Sequence, residues 1–161
     1  MLKKPRVWVA TIGVGLVVAT LLWVLSGSSY LVLRDGATGE EFARYPLQEG
    51  ESFSVQFVHS VNKSPVVDVY RVEDGSIYVE ETIYYHFGAG VQTELNAGET
   101  LTYGEDGSMV IGNIHKQIPD LRYFVGTVSD HVLTVHGEEI SLRDLCGRNS
   151  NVAFSYEFHR F

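Results

Sequence analysis

The chain has 161 residues, with 20 Asp plus Glu against 12 Lys plus Arg and a formal net charge of −8. That length allows one ordinary domain with an appendage, and the acidic balance argues against nucleic acid, whose binding rests on neutralising phosphate. A single cysteine, Cys146, excludes an intramolecular disulfide and a four-cysteine metal site.

The appendage comes first. Residues 7–25, VWVATIGVGLVVATLLWVL, carry no charge. As a helix they rise about 28 Å, close to the roughly 30 Å hydrocarbon thickness of a bilayer. Trp8 and Trp23 lie near the two ends, where indole rings favour the headgroup boundary. Lys3, Lys4 and Arg6 precede the run without an acid, so the positive-inside rule leaves the N-terminus in the cytoplasm. Residues 1–29 therefore read as a basic tip and one transmembrane anchor, and residues 30–161 as an extracytoplasmic domain. Secretion after cleavage near Ser28 is the competing reading, since Ser26 and Ser28 suit the −3 and −1 positions of a processing site. The apolar run is longer than the roughly 7–15 residues of a signal core, which favours the uncleaved anchor. The exported part holds all 20 acids against 9 of the basic residues, a charge of −11 that offers neither nucleic acid nor anionic lipid a basic patch.

Beyond the anchor, turn signals recur at short intervals: DG at 35–36, DG at 74–75, NAG at 96–98, DG at 106–107 and HG at 136–137. Runs rich in Val, Ile, Tyr, Phe and Thr lie between them, the pattern of short antiparallel strands. In SFSVQFVHS, Phe53, Val55 and Phe57 alternate with Ser52, Ser54 and Gln56, as in a half-buried strand. VAFSYEFHRF places Val152, Phe154, Tyr156 and Phe158 on one side in the same way. VYRVEDGSIYVEE predicts a hairpin on a two-residue type I′ turn, and TLTYGEDGSMVIG repeats the arrangement. Only ISLRDL suits a turn of helix, and it suits a strand equally well. The expectation is an all-β domain, an antiparallel β-sandwich or partly closed barrel of about eight to ten strands.

HSVNKSPVVDVYRV, residues 59–72, carries the first constellation with chemistry in it. If the strands on either side of VNKSP pair, His59, Ser60 and Asp68 cluster near one end of the sheet. A Ser-His-Asp triad is disfavoured, because adjacent strand residues point to opposite faces and no nucleophile elbow is present. Loop amides with Ser60, Asn62 and Lys63 suit a carboxylate or a polar peptide group, set against an ordinary turn with a solvated lysine. YYHFGAGVQTE is the second: Gly88 and Gly90 permit an amide-lined nest or a close approach, set against a simple bulge. His131 and His136 fall on opposite strand faces, and no third ligand accompanies Glu157–His159 or Glu80–His86, so neither metal nor cofactor is expected. The acid pairs Glu80–Glu81 and Glu138–Glu139 are expected to alternate faces.

The order of these blocks resembles the bacterial and archaeal family labelled domain of unknown function 1850. The resemblance spans roughly residues 30–160. It rests on the HS-V-x-x-x-P core at His59, Ser60, Val61 and Pro65, on Tyr70, and on the F-G-A-G block at Phe87 to Gly90. Family members usually show a larger aromatic and a glutamate after the proline, where Val66, Val67 and Asp68 stand here. The resemblance implies a neighbourhood of tripartite ATP-independent periplasmic (TRAP) transporters of the TAXI type. It implies an accessory subunit that contacts the solute receptor or the permease and reaches the lipid bilayer through residues 7–25. Such a subunit would present His59, Ser60, Asn62, Lys63, Pro65, Asp68, Tyr70, Phe87, Gly88 and Gly90 to a partner or ligand. No catalytic residue is implied. The rival class is a membrane-tethered hydrolase, or a small-ligand-binding domain, built on His59 with Asp68 or Glu80; a weaker third is an adhesion domain.

Overall fold

A computed structural model describes residues 27–60, 63–85 and 94–160. The expected span 7–25, together with Asn62, Phe87, Gly88 and Gly90, lies outside the described residues. Among the described residues, no helix is long and apolar enough to cross a membrane.

Alternating sequence becomes strand almost everywhere. β1 (Gly27–Asp35) and β2 (Glu41–Pro46) form a hairpin, followed by a meander of β3 (Ser52–Val58), β4 (Pro65–Glu73) and β5 (Ser76–Tyr84). β6 (Thr100–Tyr103) and β7 (Met109–Gly112) return as a second hairpin, with β7 against β5. β8 (Lys116–Gln117) pairs with another stretch of β5, and β9 (Leu121–Val125) leaves for the other sheet. β10 (His131–Val135) and β11 (Glu138–Ser141) join the free side of β3, and β12 (Ser150–Arg160) completes the set. One sheet runs β2-β1-β12-β9, and the other β11-β10-β3-β4-β5-β7-β6 with β8 on β5.

The protein is therefore all-β, built of two antiparallel sheets that do not close into a barrel. Twelve strands are present among the described residues, more than the eight to ten expected, some as short as the two-residue β8. ISLRDL divides as well: Ser141 ends β11, and its hydroxyl accepts the Asp144 N–H to cap a short helix, Leu142–Cys146. The chain separates into two compact units, residues 1–28 with 158–161 and residues 29–157. In the first, the described residues are the outer ends of β1 and β12.

In the second unit, inner faces of both sheets contribute to one core. Leu31, Leu33, Leu121, Val125 and Val152 come from one sheet; Phe53, Val55, Tyr70, Val72, Leu133 and Val135 come from the other. Phe53 stacks on its cross-strand partner Tyr70 at 5.1 Å, and its ring lies parallel to that of Phe154 on β12 at 6.2 Å. The Asp74–Gly75 turn between β4 and β5 has positive φ at both residues (50° and 71°), as a type I′ turn requires. The second Asp-Gly pair does not repeat it. There Gly107 alone takes positive φ, and the connection runs from Gly104 to Ser108, closed by the Gly104 N–H on the Ser108 carbonyl.

Leu33 has no exposed surface, so Leu33→Ala is expected to cost about 2–5 kcal/mol in equilibrium urea unfolding. Val128→Ser, at a position 89% exposed, is expected to change stability by less than about 0.5 kcal/mol in the same measurement.

Candidate functional site

Residues directly opposite each other in an antiparallel pair share a face. Phe53 opposes Tyr70 and Val55 opposes Asp68, so the apolar alternation of β3 turns both Tyr70 and Asp68 toward the core. A carboxylate there is costly unless hydrogen bonds replace its hydration. Two do. Thr82, opposite Asp68 on β5, donates its hydroxyl to Oδ1 at 2.8 Å. Tyr123, on β9 of the other sheet, donates to Oδ2 at 2.7 Å. The Tyr70 hydroxyl lies 2.6 Å from that of Tyr123. Tyr123 has one proton and gives it to the carboxylate, so Tyr70 must be the donor to Tyr123. The result is a directed relay, Tyr70 to Tyr123 to Asp68. Burial first, and the Asp68 charge second, push both phenols well above the ordinary tyrosine pKa, which keeps them as donors.

Aromatic rings close around the relay. Tyr123 meets Phe154 edge-on at 5.9 Å and Phe57 at 5.9 Å. His131, opposite Phe57 on β10, stacks on that ring at 5.6 Å and tilts against Tyr123 at 5.6 Å. Its Nδ1 is buried and has no hydrogen-bond partner among the described residues. Burial lowers the His131 pKa, opposed in part by the charge of Asp130. Asp130 itself fixes the start of β10. It accepts the Ser141 hydroxyl at 2.5 Å, the Arg143 N–H at 2.9 Å and the His131 N–H at 2.7 Å. Burial acts to raise its pKa, but those hydrogen bonds and the Arg143 charge outweigh it, and the net shift is downward.

Of the residues singled out in the sequence, the structure brings together Asp68 and Tyr70. The expected clustering of His59, Ser60 and Asp68 is not formed, because Asp68 sits in mid-strand. Its partner on β3 is Val55, and His59 follows four residues later, about 13 Å along a strand. A general base must lie within hydrogen-bond reach of its partner, directly or through one water. His59 instead starts the connection to β4, its N–H donating to the Ser64 carbonyl while Lys63 donates back to the His59 carbonyl. Lys63 adopts φ 54°, and Ser60 and Lys63 are exposed. Pro65 opens β4, and its carbonyl accepts the Tyr85 N–H, so the first motif adjoins the start of the second. Ser64 is 4% exposed, with an Oγ lacking a partner among the described residues.

The other proposed carboxylate, Glu80, is elsewhere. Val69 opposes Glu81 while Tyr70 opposes Val79, so Glu80 is the extra residue of a β-bulge. The bulge cancels the alternation expected of Glu80–Glu81. Glu80 reaches His115 Nδ1 at 2.8 Å, and the His115 ring stacks on Tyr78 at 4.8 Å.

Thr82, Tyr123, His131 and His115 escaped the sequence reading as site residues. A signal existed for Tyr123, which alternates in phase with Leu121 and Val125 and so had to face the core with a hydroxyl to satisfy. His115 sits in a short connection with no periodicity to place it.

Fold and site define the class: a two-sheet antiparallel β-protein whose core face carries an internally satisfied tyrosine–aspartate relay. The chain belongs to the DUF1850 family, a domain of unknown function whose model matches residues 53–142. That stretch is shorter than the 30–160 expected, yet it contains the whole relay, His131, Glu80 and His115. No curated protein and no solved structure matches the chain.

Tyr123→Phe removes one donor from Asp68 and the acceptor of Tyr70, and is expected to cost about 1–3 kcal/mol in urea unfolding. Tyr103→Phe, at a position 63% exposed, is expected to leave stability nearly unchanged. His131 is held neutral, its folded pKa below an unfolded value of about 6.5. Its contribution to stability is therefore present above about pH 6.5 and lost as pH falls toward the folded value. Between pH 7 and 5, wild type is expected to lose more stability than His131→Gln, read as the difference in unfolding free energy across that range. Burial, with the Asp35 charge behind it, raises the Cys146 thiol to about 11. At pH 8 the native protein is thus expected to react with a thiol reagent several-fold more slowly than the urea-unfolded chain.

Proposed function

We propose that this protein is a non-catalytic accessory module of a TRAP transporter of the TAXI type. In this reading a β-sandwich is held outside the cytoplasmic membrane by one helix, residues 7–25, and contacts the transporter's solute receptor or permease. The observation that carries the non-catalytic part is the internal engagement of Asp68. Both its oxygens are taken by hydroxyl donors from neighbouring strands of two sheets. A carboxylate so engaged serves to align the two layers. The transporter part rests on the resemblance of the 59–70 and 84–94 blocks and on family membership.

The contact surface in this proposal is the end of the larger sheet where the β3–β4 connection lies. Exposed Ser60 and Lys63 stand there beside Pro65, and Lys63 offers a cation within an otherwise acidic domain. A charge at an interface rim chiefly governs encounter and partner choice.

Crosslinking in native membranes followed by affinity capture of the tagged chain is expected to recover the receptor or the permease. Lys63→Glu is expected to reduce that recovery several-fold without shifting the unfolding midpoint. Capture of neither component from cells expressing all three proteins would refute the assignment.

A further inference from the structure

The outer face of the β4–β5 hairpin gathers three side chains that the relay does not use. Glu73, Glu80 and His115 each present a ligand atom within 4.8 Å of the other two. We propose that these three form a binding site for a borderline divalent transition ion of the zinc class, with at least one coordination position left open.

The donor set selects the ion. Imidazole with two carboxylates suits zinc and its first-row neighbours, whereas calcium and magnesium prefer all-oxygen shells. Zinc bonds nitrogen and carboxylate oxygen at about 2.0–2.2 Å in a tetrahedron, so its donors stand about 3.3–3.6 Å from one another. The present spread, up to 4.8 Å, needs a contraction of about 1.3 Å at most, which glutamate side chains supply by rotamer change.

Separate parts of the fold assemble the set. Glu73 ends β4, two residues beyond outward-facing Arg71, and Glu80 is the bulged residue of β5. Glu80 follows inward-facing Val79 and so faces outward with Tyr78, the side where His115 lies. His115 comes from the segment before β8, tied to β5 by the Ile114 N–H on the Glu80 carbonyl at 3.1 Å and by the Lys116–Val79 pairing. Its ring is fixed by stacking on Tyr78, so the imidazole is oriented before any ion arrives.

Without metal, the Glu80 hydrogen bond first, and the Glu80 and Glu73 charges after it, hold the His115 pKa above its ordinary value, against desolvation and the Arg71 charge. A proton on the imidazole competes with the ion, so affinity rises with pH.

The test is isothermal titration of the full-length chain with zinc chloride at pH 7.5 and 6.0, in buffers of different ionisation enthalpy. One ion per chain is expected, with proton release and at least tenfold weaker binding at pH 6.0. His115→Ala and Glu80→Gln are each expected to weaken binding tenfold or more, and Glu73→Gln several-fold. Urea unfolding of each variant without metal checks that the fold is kept, and Glu73→Gln at the exposed strand end serves if the others unfold. Calcium chloride is expected to give no saturable signal. Absence of one-to-one zinc uptake by wild type would overturn the proposal, and so would variants that bind zinc as wild type does.

Discussion

A carboxylate on the core face of a sheet is the constraint around which this molecule is arranged. Asp68 is turned inward by the same alternation that buries Val66 and Tyr70, and it cannot stay there without donors. Thr82 supplies one from the adjacent strand, and Tyr123 supplies the other from the opposite sheet. A hydrophobic core is non-directional and tolerates small slips of one layer over another. A 2.7 Å hydrogen bond between layers does not. Tyr70 extends the restraint, because its own phenol is 4% exposed and finds its acceptor in Tyr123. One mid-strand polar residue thus fixes the layer register that the surrounding aromatics then pack to.

The same hairpin carries a second departure from regular alternation. With one extra residue in β5, Asp68 can face Thr82 while Tyr70 faces Val79, both inward. Without the bulge, every residue of β5 beyond it would change sides. The Thr82–Asp68 bond of the inner relay therefore depends on a single backbone irregularity.

Much of the fold was legible in the sequence. SFSVQFV, the Asp74–Gly75 hairpin and the alternation of β12 all appear in the structure as read, since strand periodicity and turn chemistry act over a few residues. The antiparallel pairing across VNKSP followed from the same logic. Strand number was underestimated, and Gly104–Ser108 took a longer turn than its Asp-Gly pair suggested, because flanking residues decide how many members a turn contains. The site was less legible. Asp68 and Tyr70 stood out for their chemistry, but His59 had been grouped with them by proximity in sequence. Proximity along a hairpin does not survive a strand rise of about 3.3 Å per residue.

By itself the sequence determined an acidic, disulfide-free all-β domain and which face of β3, β4 and β12 is apolar, because these follow from composition and from a period of two residues. The in-phase spacing of Tyr123 with Leu121 and Val125 is also present in the sequence. Tertiary structure alone decided that Tyr123 meets Asp68 across the sheets, that His131 lies over Phe57, and that Glu73, Glu80 and His115 converge. Those meetings depend on strand order, on one bulge and on how two layers register. Such quantities are set by the packing of residues distant in the chain, which no local pattern encodes.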